Sequence, residues 1–235
     1  MKFYRYAVVL FLVITACSKP VMKLPVNGNA GISGINNLSQ AYIFFKTSGR
    51  DTVADVHKNQ LMTTTHWVVH IDKRLPLKKL ILPLQQLITK RNDKHSMHYK
   101  PGMHLYLSYT DTLRKMLALV TFDNVSIETP FYRSTEYLKK YPALIKDSAV
   151  VHIFLHKSGV RVNDSIFTYP GRKKALGKYL RHLYPGKTGV PVFLNADYNV
   201  SYQIYNDLYG YLVKLDTLHL RLNKRQFWYN PRDLQ

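Results

Sequence analysis

The chain of 235 residues has a single cysteine, Cys17, so it has no second thiol for an internal disulfide and no set of thiolates for a cysteine-rich metal site. Acidic residues are also scarce, with 14 Asp+Glu against 34 Lys+Arg. That imbalance disfavours cationic partners and favours anionic ones: nucleic acid, acidic lipid headgroups or the polyanions of a bacterial envelope. Several catalytic signatures are missing. No Gly-x-Ser-x-Gly elbow and no His-Glu-x-x-His occur. Pro185-Gly186-Lys187-Thr188-Gly189 contains a Gly-Lys-Thr, but Arg181 stands where a P-loop needs its first glycine, and a strand follows instead of a helix. No cofactor and no metal site is expected. The histidines His66 and His70, His152 and His156, and His95, His98 and His104 read as strand or loop residues with few carboxylates near them.

What is present begins at the N-terminus. Met1 to Arg5 is a short basic segment, and Ala7 to Thr15 is an apolar run shorter than the roughly 20 residues of a permanent membrane helix. It leads into Ile14-Thr15-Ala16-Cys17, small residues before a unique cysteine. Residues 1–17 therefore read as a lipoprotein signal peptide, with Cys17 the lipidated mature N-terminus held at the membrane by acyl chains. Residues 18–37, with Pro20, Pro25, three glycines and four asparagines, read as a flexible tether.

The folded part reads as two α+β units, residues 38–128 and 150–235, with a linker at 129–149. In the first, His66 to Ile71 is a strand, Asp72-Lys73-Arg74 a turn, and Leu77, Leu80, Leu84, Leu87 and Ile88 the stripe of a helix opened by Pro76 and kinked at Pro83. Leu105 to Tyr109 and Met116 to Phe122 form a hairpin. The second unit reads β-β-α-β-α-β. Its clearest stretch is Val190 to Leu222, a buried strand, a turn at Asn195-Ala196-Asp197, a helix with Ile204, Leu208, Tyr211 and Leu215 on one stripe, and an alternating strand. Such a βαβ unit predicts parallel strands. The fold class expected is α+β, small mixed sheets with helices on one face.

The two units align at a shift of 125 residues. Asp72 meets Asp197, Leu75 meets Val200, Leu77 meets Tyr202, Leu80 meets Tyr205, Leu84 meets Tyr209 and Leu87 meets Leu212. The alignment fits an internal duplication, and it equally fits the general likeness of any two strand-turn-helix units.

Val151-His152-Ile153-Phe154-Leu155 with Ser158-Gly159-Val160, then Asn195-Ala196-Asp197 with Val200-Ser201-Tyr202 and a closing strand, resembles the periplasmic domain of the ExbD/TolR family of biopolymer-transport proteins. The resemblance covers about Val150 to Leu222, and Val69 to Leu87 looks like a fainter copy. It implies a non-catalytic domain that associates in pairs and engages peptidoglycan or an energy-transducing membrane complex. Family members carry an uncleaved transmembrane helix with an acidic residue. Ala7 to Ala16 has none, so coupling to proton flow is not implied. By resemblance to other lipoproteins, Ser18 beside the cysteine implies the outer membrane, facing the periplasm.

For ligand binding, the candidate surface is the basic run Arg172, Lys173 and Lys174 with Lys178 and Arg181 on one helix, together with Asp197 and Tyr202 at the following turn. The expected partners are the membrane through the lipid, an anionic envelope polymer such as peptidoglycan, and a protein of a membrane complex. Nucleic acid fits the charge but not the address. The alternative is an envelope hydrolase with an unrecognised active site.

Overall fold

Alternation of apolar and polar residues builds two mixed sheets, seen in a computed structural model that describes residues 21–58, 61–95, 99–128, 133–144, 149–171, 173–215 and 219–234. Cys17, Arg172 and His98 lie outside the described residues. The first sheet contains β1 (Val26–Asn27), β2 (Leu38–Ser48), β3 (Asp51–His57), β4 (His66–Ile71), β5 (Leu105–Asp111) and β6 (Met116–Thr121). Its path is β3-β2-β4-β5, with β2, β4 and β5 parallel and β3 antiparallel to β2. The second contains β7 (Ser126–Glu128), β8 (Val151–His156), β9 (Gly159–Val162), β10 (Ser165–Phe167), β11 (Val190–Asp197), β12 (Leu220–Leu222) and β13 (Arg225–Tyr229), in the order β10-β9-β8-β11-β13-β7. Here β8, β11 and β13 are parallel and β9 is antiparallel to β8, so β9-β8-β11 repeats the order and sense of β3-β2-β4. The class is α+β, as the patterning predicts.

Four α-helices complete the described residues: α1 (Ile81–Asn92), α2 (Ser134–Lys140), α3 (Lys173–His182) and α4 (Tyr202–Leu215). The stripes of α1, α3 and α4 enter one continuous apolar core with the inner faces of both sheets, including Trp67, Ile153, Leu176, Leu194, Leu208 and Trp228. The helix α2 instead covers the outer face of the second sheet, where Leu138 packs on Val150, Phe193 and Phe227. Pro83 falls in the first turn of α1, where its missing N–H leaves no bond unmade. The break comes earlier, at Leu80, between a 3-10 turn at Leu77–Lys79 and α1.

The two halves meet in a reciprocal contact. Pro76 and Ser201 form an isolated antiparallel bridge. The Leu77 amide donates to the Val200 carbonyl at 3.0 Å, and the Tyr202 amide to the Leu75 carbonyl at 2.7 Å. Beyond them, Lys78 donates to Tyr198 at 2.8 Å and Gln203 to Lys73 at 3.1 Å. Each bond is the other's counterpart at the 125-residue shift, the reciprocity of a twofold, isologous contact. The turns correspond as well: Asp72 accepts from the Arg74 amide at 3.0 Å and Asp197 from the Asn199 amide at 2.8 Å.

Three expected boundaries are corrected. Residues 21–37 are not a tether. Pro25 and Asn27 accept the amides of Thr110 and Thr112, Tyr109 donates its hydroxyl to Asn29 at 2.9 Å from the inner side, and Ile32 pairs with Leu119 on the far edge of β6. Ile35 and Leu38 then pack on Val68, Tyr106 and Leu119 on the outer face. The segment thus wraps around the β5–β6 hairpin. Two of its four asparagines, Asn27 and Asn29, are buried, bonded to Asn206 and the Asp207 carbonyl of α4. Within 129–149, the described stretch 133–144 belongs to the second half through α2. Lastly, the first unit does not end as a separate body at residue 128, since β7 pairs with β13 at the edge of the second sheet.

Candidate binding site

On β8 and β9 the inner residues are Val151, Ile153, Leu155, Val160 and Val162, so alternation turns His152, Phe154 and Arg161 to the outer face. There they meet the start of α2 in a concavity of about 300 Å³ lined by Arg133, Thr135, His152, Phe154, Arg161, Asn163 and Asp164. The Arg161 guanidinium lies 4.2 Å from the Phe154 ring centroid, which fixes its plane over the aromatic face. It donates to the Asn163 carbonyl at 3.4 Å, and no carboxylate among the described residues forms an ion pair with it. Arg133 precedes α2 and pairs with Glu136 in its first turn, its Nε donating to Glu136 at 2.9 Å while Glu136 accepts the Arg133 amide at 3.3 Å.

Behind this wall, the Ser134 hydroxyl and His152 Nδ1 are 2.7 Å apart, the geometry of a nucleophile and its base. Two facts make it a strut instead. Ser134 is fully buried. Its neighbour on the other side is Asn195, whose amide donates to the Ser134 hydroxyl at 2.7 Å and accepts the Ser134 amide at 2.6 Å, while no carboxylate among the described residues bonds His152. Burial holds the His152 imidazole below its usual range, and it does the same to His156 beside Tyr229.

A second polar group stands at the lower end of the first sheet. His104 Nδ1 is bonded to Asp123, whose other oxygen accepts the Leu105 amide at 2.7 Å. Its ring stacks on that of His66 at 5.4 Å, and Nε2 has no hydrogen-bond partner among the described residues. No group of three or more His, Cys, Asp or Glu among the described residues could hold a metal ion. A larger concavity, about 980 Å³, is an open groove between the end of α1 and residues 124–127, lined mainly by uncharged side chains such as Gln85, Thr89, Asn92 and Asn124.

Comparison of the chain with protein-family models, with curated proteins and with solved structures gives no match.

The residues singled out from the sequence do not converge. Lys174, Lys178 and Arg181 form an exposed stripe on α3. Lys173 turns inward, 2.6 Å from Asp207 and with its ammonium 5.2 Å from the Tyr211 centroid, so its charge is taken up within the fold. Asp197 is buried on the other side of the second sheet, where it holds its own turn through Asn199. Tyr202 has no exposed surface and accepts from Asn206 at 3.1 Å; as a core residue it cannot touch a ligand. Tyr205 and Tyr209 stack beside it at 5.8 Å, part of the same core. The residues missed were Arg133, Phe154 and Arg161. The readable signal was Val160-Arg161-Val162, a cation held between two buried valines on a strand opposite an aromatic residue.

Proposed function

We propose that this chain is a lipid-anchored binding module of the bacterial envelope, and that the Arg133–Arg161 concavity takes a charged end of an anionic envelope polymer, with peptidoglycan as the leading ligand. The observation that carries the reading is Arg161, pre-oriented over Phe154 at a solvent-facing wall and free of a carboxylate partner among the described residues. Asp164 on the same rim suits a ligand that also carries an amine or amide, as peptide-bearing glycans do. The overall excess of cations adds a salt-dependent attraction to any polyanion. The reciprocal Pro76–Ser201 contact supports an ExbD/TolR-like arrangement in which the paired domains lie in one chain. On that reading the protein stands beside a biopolymer-transport complex as a scaffold without catalysis.

The test is retention of the chain from Ser18 onward on purified peptidoglycan sacculi at low and moderate salt. Arg161→Glu is expected to abolish salt-sensitive retention, whereas Lys174→Glu with Lys178→Glu leaves most of it. Unchanged retention in Arg161→Glu would refute the site.

An envelope hydrolase is the second reading, and the His104–Asp123 pair favours it, because a carboxylate-held imidazole with an open Nε2 is equipped for general base catalysis. Release of soluble fragments from sacculi, lost in His104→Ala, would establish it.

A further inference from the structure

Twelve large apolar side chains are notably exposed among the described residues, and half of them sit in one place. Val21, Val26 and Ile32 belong to the wrapping segment, while Leu113, Met116 and Leu117 belong to the β5–β6 hairpin that it encircles. Leu113, at the hairpin turn, is 73% exposed. Single exposed apolar residues are ordinary on a protein surface, but six on two hydrogen-bonded segments concentrate apolar surface around one hairpin. Outside the ion pairs Asp111–Arg114 and Asp72–Arg74, the charges around it have one sign. Lys23 and Lys115 flank the patch, and residues 21–37 contain no Asp or Glu. The carboxylate nearest the turn, Asp111, is buried and already paired with Arg114 at 2.8 Å.

The patch also lies close to the lipid-bearing end of the chain. Only three residues, Ser18 to Pro20, separate Cys17 from the first described residue, Val21. Four extended steps span at most about 14 Å, since each covers about 3.3–3.6 Å. The fold therefore starts at the membrane surface if Cys17 carries acyl chains. From Val21 the segment reaches the hairpin in a few residues: Asn27 accepts the Thr112 amide at 3.0 Å and Gly31 accepts from the Arg114 guanidinium at 2.7 Å.

We infer that the β5–β6 turn is a second membrane contact, in which Leu113, Met116 and Leu117 enter the headgroup region while Lys23 and Lys115 meet anionic lipid. An acyl anchor combined with an apolar and basic contact is the kind of double signal that fixes a protein's orientation on a bilayer. The inference uses the lipid-anchor reading only to place the chain at the bilayer. With the hairpin down, the protein has one defined face toward the membrane.

The chain has only two tryptophans, Trp67 and Trp228, both fully buried, so an added surface tryptophan reports on its own surroundings. The chain from Cys17 to Gln235 keeps every described contact. Its thiol can be coupled to a maleimide-headgroup lipid in vesicles of mixed zwitterionic and anionic phospholipid. Two variants are compared, Leu113→Trp and Ile166→Trp, the latter at an equally exposed position (73%) on the edge strand β10. Brominated acyl chains should quench most of the added emission of Leu113→Trp and none of that of Ile166→Trp. Equal quenching at both positions, or none at position 113, overturns the inference. Absence of quenching together with a dimer in solution would also overturn it, assigning the patch to a second copy of the chain. Chemical coupling imposes the anchor without cellular processing, so failure here counts against the hairpin alone. A Cys17→Ser protein that keeps its mass and its membrane association in cells would count against the anchor alone.

Discussion

Lys173 Nζ lies 2.6 Å from Asp207 Oδ1, and the Tyr169 hydroxyl donates to the other oxygen of the same carboxylate at 2.6 Å. Burial raises the Tyr169 phenol and the carboxylate raises it further, so the phenol keeps its proton and donates it to Asp207. Lys173→Ala should lower stability by about 1–2 kcal/mol and leave polymer retention unchanged. Asp207→Ala should lower it by about 3 kcal/mol, since it strands a cation and a phenol together. Urea unfolding of both variants checks the order.

His70 gives the protein an acid limit. It is buried against Tyr42, whose ring is 4.8 Å away, bonds Ser108 at 2.9 Å and leaves Nε2 unpartnered. Desolvation lowers its pKa to about 4. The folded value lies below the unfolded one, near 6.5, so the unfolded chain binds the extra proton first. The stability that neutral His70 provides is complete above pH 6.5 and declines as the pH falls toward 4. The decline should reach about 3 kcal/mol, and His70→Phe should flatten it. Unfolding midpoints in urea at pH 7.5 and 4.5, compared between the two proteins, measure the difference.

Gly31 reports on the wrapping segment. A Cβ there would stand 2.8 Å from the Leu119 carbonyl oxygen and 2.9 Å from Ala118 Cβ, so the backbone itself would have to move. Gly31→Ala should destabilise the fold by about 1–3 kcal/mol and raise amide exchange across Asn27 to Ile32. A tether at this position would tolerate the alanine without effect.

Ser134 separates a strut from a nucleophile. Ser134→Ala removes the partner of His152 and Asn195 and should cost about 1–2 kcal/mol of stability, with release of fragments from sacculi unchanged. A loss of hydrolysis without a loss of stability would make Ser134 catalytic.

Much of the framework was legible because it is written in local periodicity. The strand His66–Ile71, the β5–β6 hairpin and the β11-α4-β12 unit all follow from spacing of apolar residues, and β12 is parallel to β11 as such a unit requires. The strand Asp51–His57 was not legible: it is a half-exposed edge strand whose residues alternate weakly between Asp, Thr, Val and Ala. Nor was the packing of residues 21–37, because Asn27 and Asn29 find their partners on α4, nearly the whole chain away. Lys224 to Tyr229 posed the same difficulty: the strand at the chain's end lies inside the sheet, between β11 and β7. The candidate site depended on α2 crossing the outer face of the second sheet, which no spacing rule places there. Charge alone pointed to α3, where one lysine of the stretch is spent on Asp207.

The bridge between Pro76 and Ser201 has a consequence for how the protein behaves at low abundance. Two separate subunits joined by such a reciprocal contact would assemble only as far as their concentration allowed, so assembly would depend on how many copies a cell makes. Here one polypeptide carries both partners, so the local concentration of each half around the other is set by the connecting chain. The arrangement is then complete in a single molecule, and expression level changes how many such units there are without changing what each unit is.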